Sequence, residues 1–423
     1  MDELRARREE IYEKFDKIND SYDFFMLQKI ILEEILVAER ALVSKQEDIY
    51  LWREHLDRIY AVGDALVWTV LDCFTIRQLG KYESVRTNLL SQEDVIRDIV
   101  SNYEKKAHQG LYILADLTRC LTIGDVVEII APDKIIIHES KSSQPEKFTA
   151  TNILRGRIGR QFSKAFWLQK LLENGFEKLY NQEIPTKVIE ISSPKTTHIH
   201  LIPELVEQCL HSENGFAFIQ PENGLVYLAK KMETNCELTD EELNSIPKLQ
   251  SVSIASTARL IEDSRETMYH IPPLALQLPL KTRILLNEVE INILCLLSRN
   301  YIEEVSSNLG FIYQEDKDGL PQLSKGGKSR TFHVRFINDV MLNFVPLHET
   351  IRILTELFEA LEETGDELTA EEKDYLEKRP KTRDEFVKYL QDNYVIAAID
   401  DSKHIVEAYS MEGDILYKKD KEN

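Results

Sequence analysis

Three residues in the first third of the chain have types and spacing that could do chemistry: Asp125 and, fourteen residues later, the Glu139 and Lys141 of a Glu-Ser-Lys run. Carboxylates are hard oxygen donors, and two that converge can hold a divalent cation such as Mg2+ or Mn2+. A bound cation activates water and offsets the charge that grows on a phosphate under attack, which is what phosphodiester hydrolysis at neutral pH needs. In an extended strand the period of two sets Ile135, Ile137, Glu139 and Lys141 on one face. The isoleucines can then anchor in the core while Glu139 holds the metal and Lys141 orients or deprotonates the attacking water. The carbonyl of Ser140, at the strand edge, offers a further oxygen to the cation.

These residues need elements to position them. The β-branched runs Val126–Ile130 and Ile135–Ile137 are separated by Ala131-Pro132-Asp133-Lys134, a pattern that predicts a hairpin bringing Asp125 and Glu139 to one end of a sheet. An even loop would pair Asp125 with Ser140 and put it on the wrong face, so an odd loop or a β-bulge is expected. The literal Pro132-Asp133 pair belongs to the turn, where both residues are favoured for conformational reasons. Between Lys141 and Lys170 stand seven basic residues and one acid. A helix is predicted over roughly 151–179, with Leu154, Ile158, Phe162, Ala165 and Leu172 on one side and Arg157, Arg160, Gln161 and Lys164 as an adjoining stripe. Arg157, Arg160 and Lys164 are the expected nucleic-acid contacts. Gly156 and Gly159 weaken the start of that helix. Asp116, a carboxylate among apolar residues just before the hairpin, could support the metal site or cap a turn.

The run from Gly124-Asp125 through His138-Glu139-Ser140-Lys141 resembles the core of the PD-(D/E)XK nucleases, a superfamily of restriction, repair and defence endonucleases. The likeness covers about residues 110–230, and Gly124 stands where that family has its proline. The resemblance implies a restriction-endonuclease-like core in which Asp125, Glu139 and Lys141 are catalytic. Asp125, Glu139 and the Ser140 carbonyl would hold Mg2+ or Mn2+, and Gln161 would lie near the metal. It also implies an upstream helical glutamate, for which Glu83, Glu93 and Glu104 are candidates. The substrate expected is DNA in preference to RNA, in a setting of restriction or antiviral defence. The other reading is a catalytically silent nuclease-like fold that binds nucleic acid or serves as an assembly subunit.

Composition frames these expectations. The net charge of −21 argues against a surface that holds nucleic acid by bulk electrostatics, so the binding surface must be a local basic island. The five cysteines are odd in number and form no Cys-x-x-Cys pair, which argues against structural zinc and a disulfide framework. A charged start and the lack of a long apolar run predict a cytoplasmic protein outside the membrane. The domain reading is a helical region over 1–108, an α/β nuclease-like core over 109–231, and an α+β region over 232–423 that confers specificity or binds a partner or a second copy. Ser91 and Asp94 suggest a capping box. Further helices are predicted at Asn287–Leu309 and Leu347–Glu363, and a strand at Arg330–Ile337. Lys325-Gly326-Gly327-Lys328-Ser329 lacks the first glycine of a phosphate loop and reads as a flexible basic loop. His198 and His200 read as structural histidines on one strand face.

Overall fold

The computed structural model describes residues 2–44, 48–80, 88–122, 124–131, 134–138, 174–178, 185–188, 194–232, 251–257, 276–317, 319–333, 335–364, 369–382, 394–397, 406–410 and 415–419, with the short pieces 166–167, 170–171, 246–247, 249, 385–386 and 388–389. The chain is a mixed α+β protein of two compact units, Met1–Val188 with Leu368–Asn423, and Ile189–Glu367. The cuts therefore fall at 188 and 367 rather than at 108 and 231, and the last segment of the chain belongs with the first unit.

Five helices open the first unit: α1 (Asp2–Asp16), α2 (Ser21–Ser44), α3 (Ile49–Val70), α4 (Cys73–Gly80) and α5 (Glu93–Glu104). Phe24, Gln28, Ile31 and Ile35 recur at helical spacing in α2 and are all buried, the pattern of a core-facing stripe. In α3 every residue from Ala61 to Val67 is buried, so its second half lies inside the unit. The expected cap at Ser91 is absent. A 3-10 turn, Leu89–Gln92, precedes α5, and it is Asn88 whose side chain accepts from the Leu90 N–H. The Ser91 hydroxyl instead donates to the Asn88 carbonyl at 2.7 Å.

The strands β1 (Leu111–Leu114), β2 (Val126–Ala131) and β3 (Lys134–His138) form an antiparallel run, and the chain's last strands, β13 (Tyr394–Ala397), β14 (Val406–Ser410) and β15 (Ile415–Lys419), extend it in the order β1-β2-β3-β15-β14-β13. The β15–β3 ladder is parallel. Among the described residues β1 has no strand on its outer side, and Gln28 supplies the missing hydrogen bonds. Its side-chain oxygen accepts from the Leu114 N–H at 2.7 Å, and its amide donates to the Tyr112 carbonyl at 2.8 Å. That is the pair of bonds a residue in a parallel neighbouring strand would make. Downstream of β1, Asp64 on α3 accepts from the backbone N–H groups of Arg119 and Cys120 at 2.5 and 2.9 Å and from the Arg119 side chain at 2.9 Å. Gly63 beside it permits this approach, because a Cβ there would lie 2.0 Å from the Leu117 carbonyl oxygen.

The predicted helix over 151–179 is helical at its described positions 166–167, 170–171 and 174 but stops before 179. Gly175 adopts a φ of +68°, and its N–H bonds to the Leu171 carbonyl, a left-handed glycine stop. The chain then enters β4 (Phe176–Glu177), which pairs with β5 (Thr186–Lys187).

The second unit is built on an antiparallel sheet ordered β6-β7-β9-β8, from β6 (Phe216–Glu222), β7 (Leu225–Lys231), β8 (Val252–Ser256) and β9 (Ile291–Ser298). Its core packs Tyr227, Ile293 and Cys295 of the sheet with Leu205 of α6 (Ile202–His211), Phe336 and Leu354. The Asn287–Leu309 segment is not one helix. It comprises the end of α7 (Leu280–Asn287), then β9, then α8 (Arg299–Asn308). The apolar run of β9 fits either structure by pattern alone, and pairing with both β7 and β8 decides for a strand. The Arg330–Ile337 strand is likewise shorter than expected. After β10 (Ile312–Glu315) and β11 (Pro321–Lys325) comes β12 (Lys328–Thr331), and Arg335 already opens α9 (Arg335–Leu342). The helix α10 (Leu347–Thr364) matches its prediction. Gly326 and Gly327, at φ +61° and +82°, make the tight turn between β11 and β12 that two left-handed residues favour.

Replacing Gln28 by leucine keeps the volume and removes both bonds to β1. Chemical denaturation should show a loss of about 2–4 kcal/mol, the cost of two buried peptide groups left without partners. Wild-type stability in Gln28→Leu would mean that β1 does not depend on this side chain.

Candidate active site

The site begins at the end of the three-stranded run. Val126 pairs with His138 and Val127 with Ile137. Asp125 stands one residue before β2, and its backbone is bonded on both sides. Its N–H donates to the His138 carbonyl at 2.8 Å, and its carbonyl accepts from the Ala115 N–H at 2.9 Å. Three segments thus meet at one sheet end: the chain leaving β1 toward Asp116, the chain entering β2 at Asp125, and the chain leaving β3 at His138. Asp116 lies in the 3-10 turn Ala115–Leu117, and both aspartates are half-buried. The register shifts between Ile129 and Ala131, around Ile130, which is exposed. This is the bulge the parity argument called for.

Gly124 has a physical reason to be glycine. Its φ is +74°, and a Cβ would lie 2.4 Å from Ile137 Cγ2. Proline, which locks φ near −65°, cannot occupy this position.

Glu139, Ser140, Lys141, Arg157, Arg160, Gln161 and Lys164 all lie outside the described residues, as does Glu83. Of the other two upstream glutamates, Glu93 is engaged by Arg40 and Arg97, and Glu104 by Lys29 at 2.6 Å. Among the described residues no three His, Cys, Asp or Glu side chains gather closely enough to hold a metal ion.

Sequence reasoning missed a polar cluster on the hairpin. The register sets Glu128 and His138 on one face of the β2–β3 ladder. His138 is 2% exposed, and its Nε2 lies 2.7 Å from a Glu128 carboxylate oxygen. The Tyr112 hydroxyl donates to the other oxygen at 3.2 Å. The Tyr103 ring of α5 packs edge-on against both Tyr112 and His138. Burial works against the charge of Glu128, but the His138 hydrogen bond and charge, the Tyr112 hydroxyl and Lys106 together hold its carboxyl below the usual range. The available signal was a lone acid in a β-branched run, with a histidine at matching parity on the partner strand.

Two other sequence features resolve differently from their first reading. Lys325, Lys328 and Arg330 form no loose basic loop: they line the β11–β12 hairpin and pair with Glu359 and Glu362 of α10. His198 and His200 are not on a strand, since Ile199–Leu201 is a 3-10 turn. His198 Nδ1 lies 3.2 Å from the Tyr227 hydroxyl and Nε2 lies 3.5 Å from Glu222. Glu222 also accepts from the Leu347 N–H at the start of α10, where a carboxylate complements the helix dipole. Burial pushes the Glu222 carboxyl above its usual range, against the pull of Leu347, Tyr301 and His348. Burial, with His200 and His348, pushes the His198 imidazole down.

No protein-family model, no curated protein and no solved structure matches the chain. No helix among the described residues is long and apolar enough to cross a membrane.

The Glu222 environment has a pH signature. A carboxyl raised on folding contributes stability below its unfolded pKa and loses it as pH rises through the folded value. His198, depressed on folding, acts in the opposite sense and is common to wild type and variant. Glu222→Gln should therefore gain melting temperature relative to wild type as the pH goes from about 4 to about 8. A difference that does not change with pH would contradict the burial effect.

Proposed function

We propose that the chain is a metal-dependent nuclease that cleaves phosphodiester bonds within DNA, built on a restriction-endonuclease-like core and acting in restriction or antiviral defence. The observation that carries this reading is the meeting of three segments at one sheet end, with Asp125 bonded through its backbone to both the turn after β1 and the last residue before Glu139.

The donors at this end are oxygens, the chemistry a hard cation takes. Asp125, Glu139 and the Ser140 carbonyl would hold Mg2+ or Mn2+, which when bound supplies an activated water and neutralises phosphate charge. Lys141 orients or deprotonates that water and faces the charge that develops on the phosphate. Asp116 and Gln161 support the ligands from behind. Arg157, Arg160 and Lys164 hold the nucleic-acid backbone, giving a basic island on a chain of net charge −21. The second unit confers specificity or carries the contact with a partner or a second copy.

Incubation with plasmid, single-stranded DNA and RNA, each with Mg2+, Mn2+ or EDTA, tests the reading directly. Asp125→Asn and Glu139→Gln should abolish cleavage with the fold intact. Lys141→Ala should lower it by orders of magnitude while the protein still binds metal. Double variants should be hardly worse than singles, as in residues that act as a unit. Magnesium-dependent cleavage that survives Glu139→Gln at the wild-type rate would remove the site from the reaction. DNA binding without any cleavage by the wild type would favour the silent, nucleic-acid-binding alternative.

The basic stripe has its own test. Alanine at Arg157, Arg160 and Lys164 should weaken binding across all sequences and reduce the slope of affinity against salt by about one per lost phosphate contact. An unchanged slope moves the binding surface elsewhere.

A further inference from the structure

We propose that Glu128 and His138 are positioning residues for Asp125: their hydrogen bond fixes the end of β3, and the His138 carbonyl in turn fixes the Asp125 backbone. The catalytic consequence rests on the nuclease reading above, whereas the coupling between the pair and Asp125 does not.

The linkage runs through four groups. The Glu128 carboxylate accepts from the Tyr112 hydroxyl and from His138 Nε2. The His138 ring is buried, and Nδ1, its other nitrogen, has no hydrogen-bond partner among the described residues. Glu128 is thus the ring's polar anchor there, and the Tyr103 ring closes over it with centroids 5.5 Å apart. Without Glu128, both ring nitrogens would sit in an apolar setting, a cost that the strand end can relieve by moving. Any such movement carries the His138 carbonyl, which accepts the Asp125 N–H at 2.8 Å. That carbonyl belongs to a planar peptide group, so fixing it also fixes the plane from which residue 139 departs. Glu128 holds the His138 ring rather than the Asp125 backbone, so it acts on Asp125 through His138.

Amide hydrogen exchange and steady-state kinetics on the full chain test this together. In Glu128→Ala the Asp125 amide should exchange faster by about 10- to 100-fold, the factor that corresponds to leaving a buried polar group without its partner, while amides of α2 keep wild-type rates. Glu128→Gln retains an oxygen that can accept from His138 and should restore slow exchange. If Glu128→Ala does not fold, Glu128→Asp reads the same effect, because it keeps the charge but draws the carboxylate back from the ring. Cleavage should follow the same order, with kcat reduced by about 10- to 100-fold in Glu128→Ala and recovered in Glu128→Gln, and KM unchanged in both. An Asp125 amide that exchanges at the wild-type rate in Glu128→Ala or Glu128→Asp overturns the proposal. So does a Glu128→Gln variant as inactive as Glu128→Ala, which would assign the charge itself to the reaction. Selective exchange at Asp125 in a protein that cleaves no nucleic acid would retain the positioning link and reject the nuclease reading.

Discussion

A residue at a sheet end must find partners for both its N–H and its C=O, and at Asp125 those partners come from β3 and from the turn that follows β1. The His138 carbonyl receives one bond and the Ala115 N–H supplies the other. This crossing point ties the exit of β1, the entry of β2 and the exit of β3 together, and the arrangement of the first unit depends on it. A slip of one residue in either ladder would turn Asp125 to the other face. The bulge around Ile130 takes up the mismatch at the far end of the hairpin, where the chain is exposed.

The helices hold this sheet end with polar side chains as well as apolar ones. Gln28 makes the bonds of a parallel neighbouring strand beside β1, and Asp64 gathers the backbone just beyond it, with Gly63 allowing α3 to come close. A buried polar group is tolerable when its hydrogen bonds are made, and here each is spent on backbone that has no regular partner. The same logic recurs at Glu39, which accepts from the Leu89 and Leu90 N–H groups, and at Glu222 on the first turn of α10. Glu128 has a ring nitrogen within hydrogen-bond distance, at 2.7 Å, and its carboxyl stays below the usual carboxylate range while burial raises Glu39 and Glu222.

Much of the candidate site could be read from the chain itself. β-Branched runs on either side of turn residues locate the hairpin, and parity requires a bulge or odd loop in it. The helical first region and α10 followed from period and turn residues. Other elements escaped for identifiable reasons. The Ile291–Leu297 run is apolar on both sides because it lies inside a sheet, and such a run carries no period to distinguish strand from helix. The Lys325–Ser329 segment looked like a loop because its two glycines suit a tight hairpin equally well, and the glutamates that neutralise it lie on a helix more than thirty residues away. Glu128 passed unnoticed because one acid in an apolar strand gains meaning only from the histidine across the ladder.

By itself the sequence determined what is local: the helical first region, the β2–β3 hairpin and the need for a bulge or odd loop in it. These follow from side-chain period and turn chemistry over a few residues. Tertiary structure alone decided the non-local matters. It placed Leu368–Asn423 with the first unit, laid β15 beside β3 in a parallel ladder, and set Gln28 and Asp64 against backbone far away in the chain. Such pairings depend on which surfaces meet after long loops close, and no local pattern in the residues records that choice.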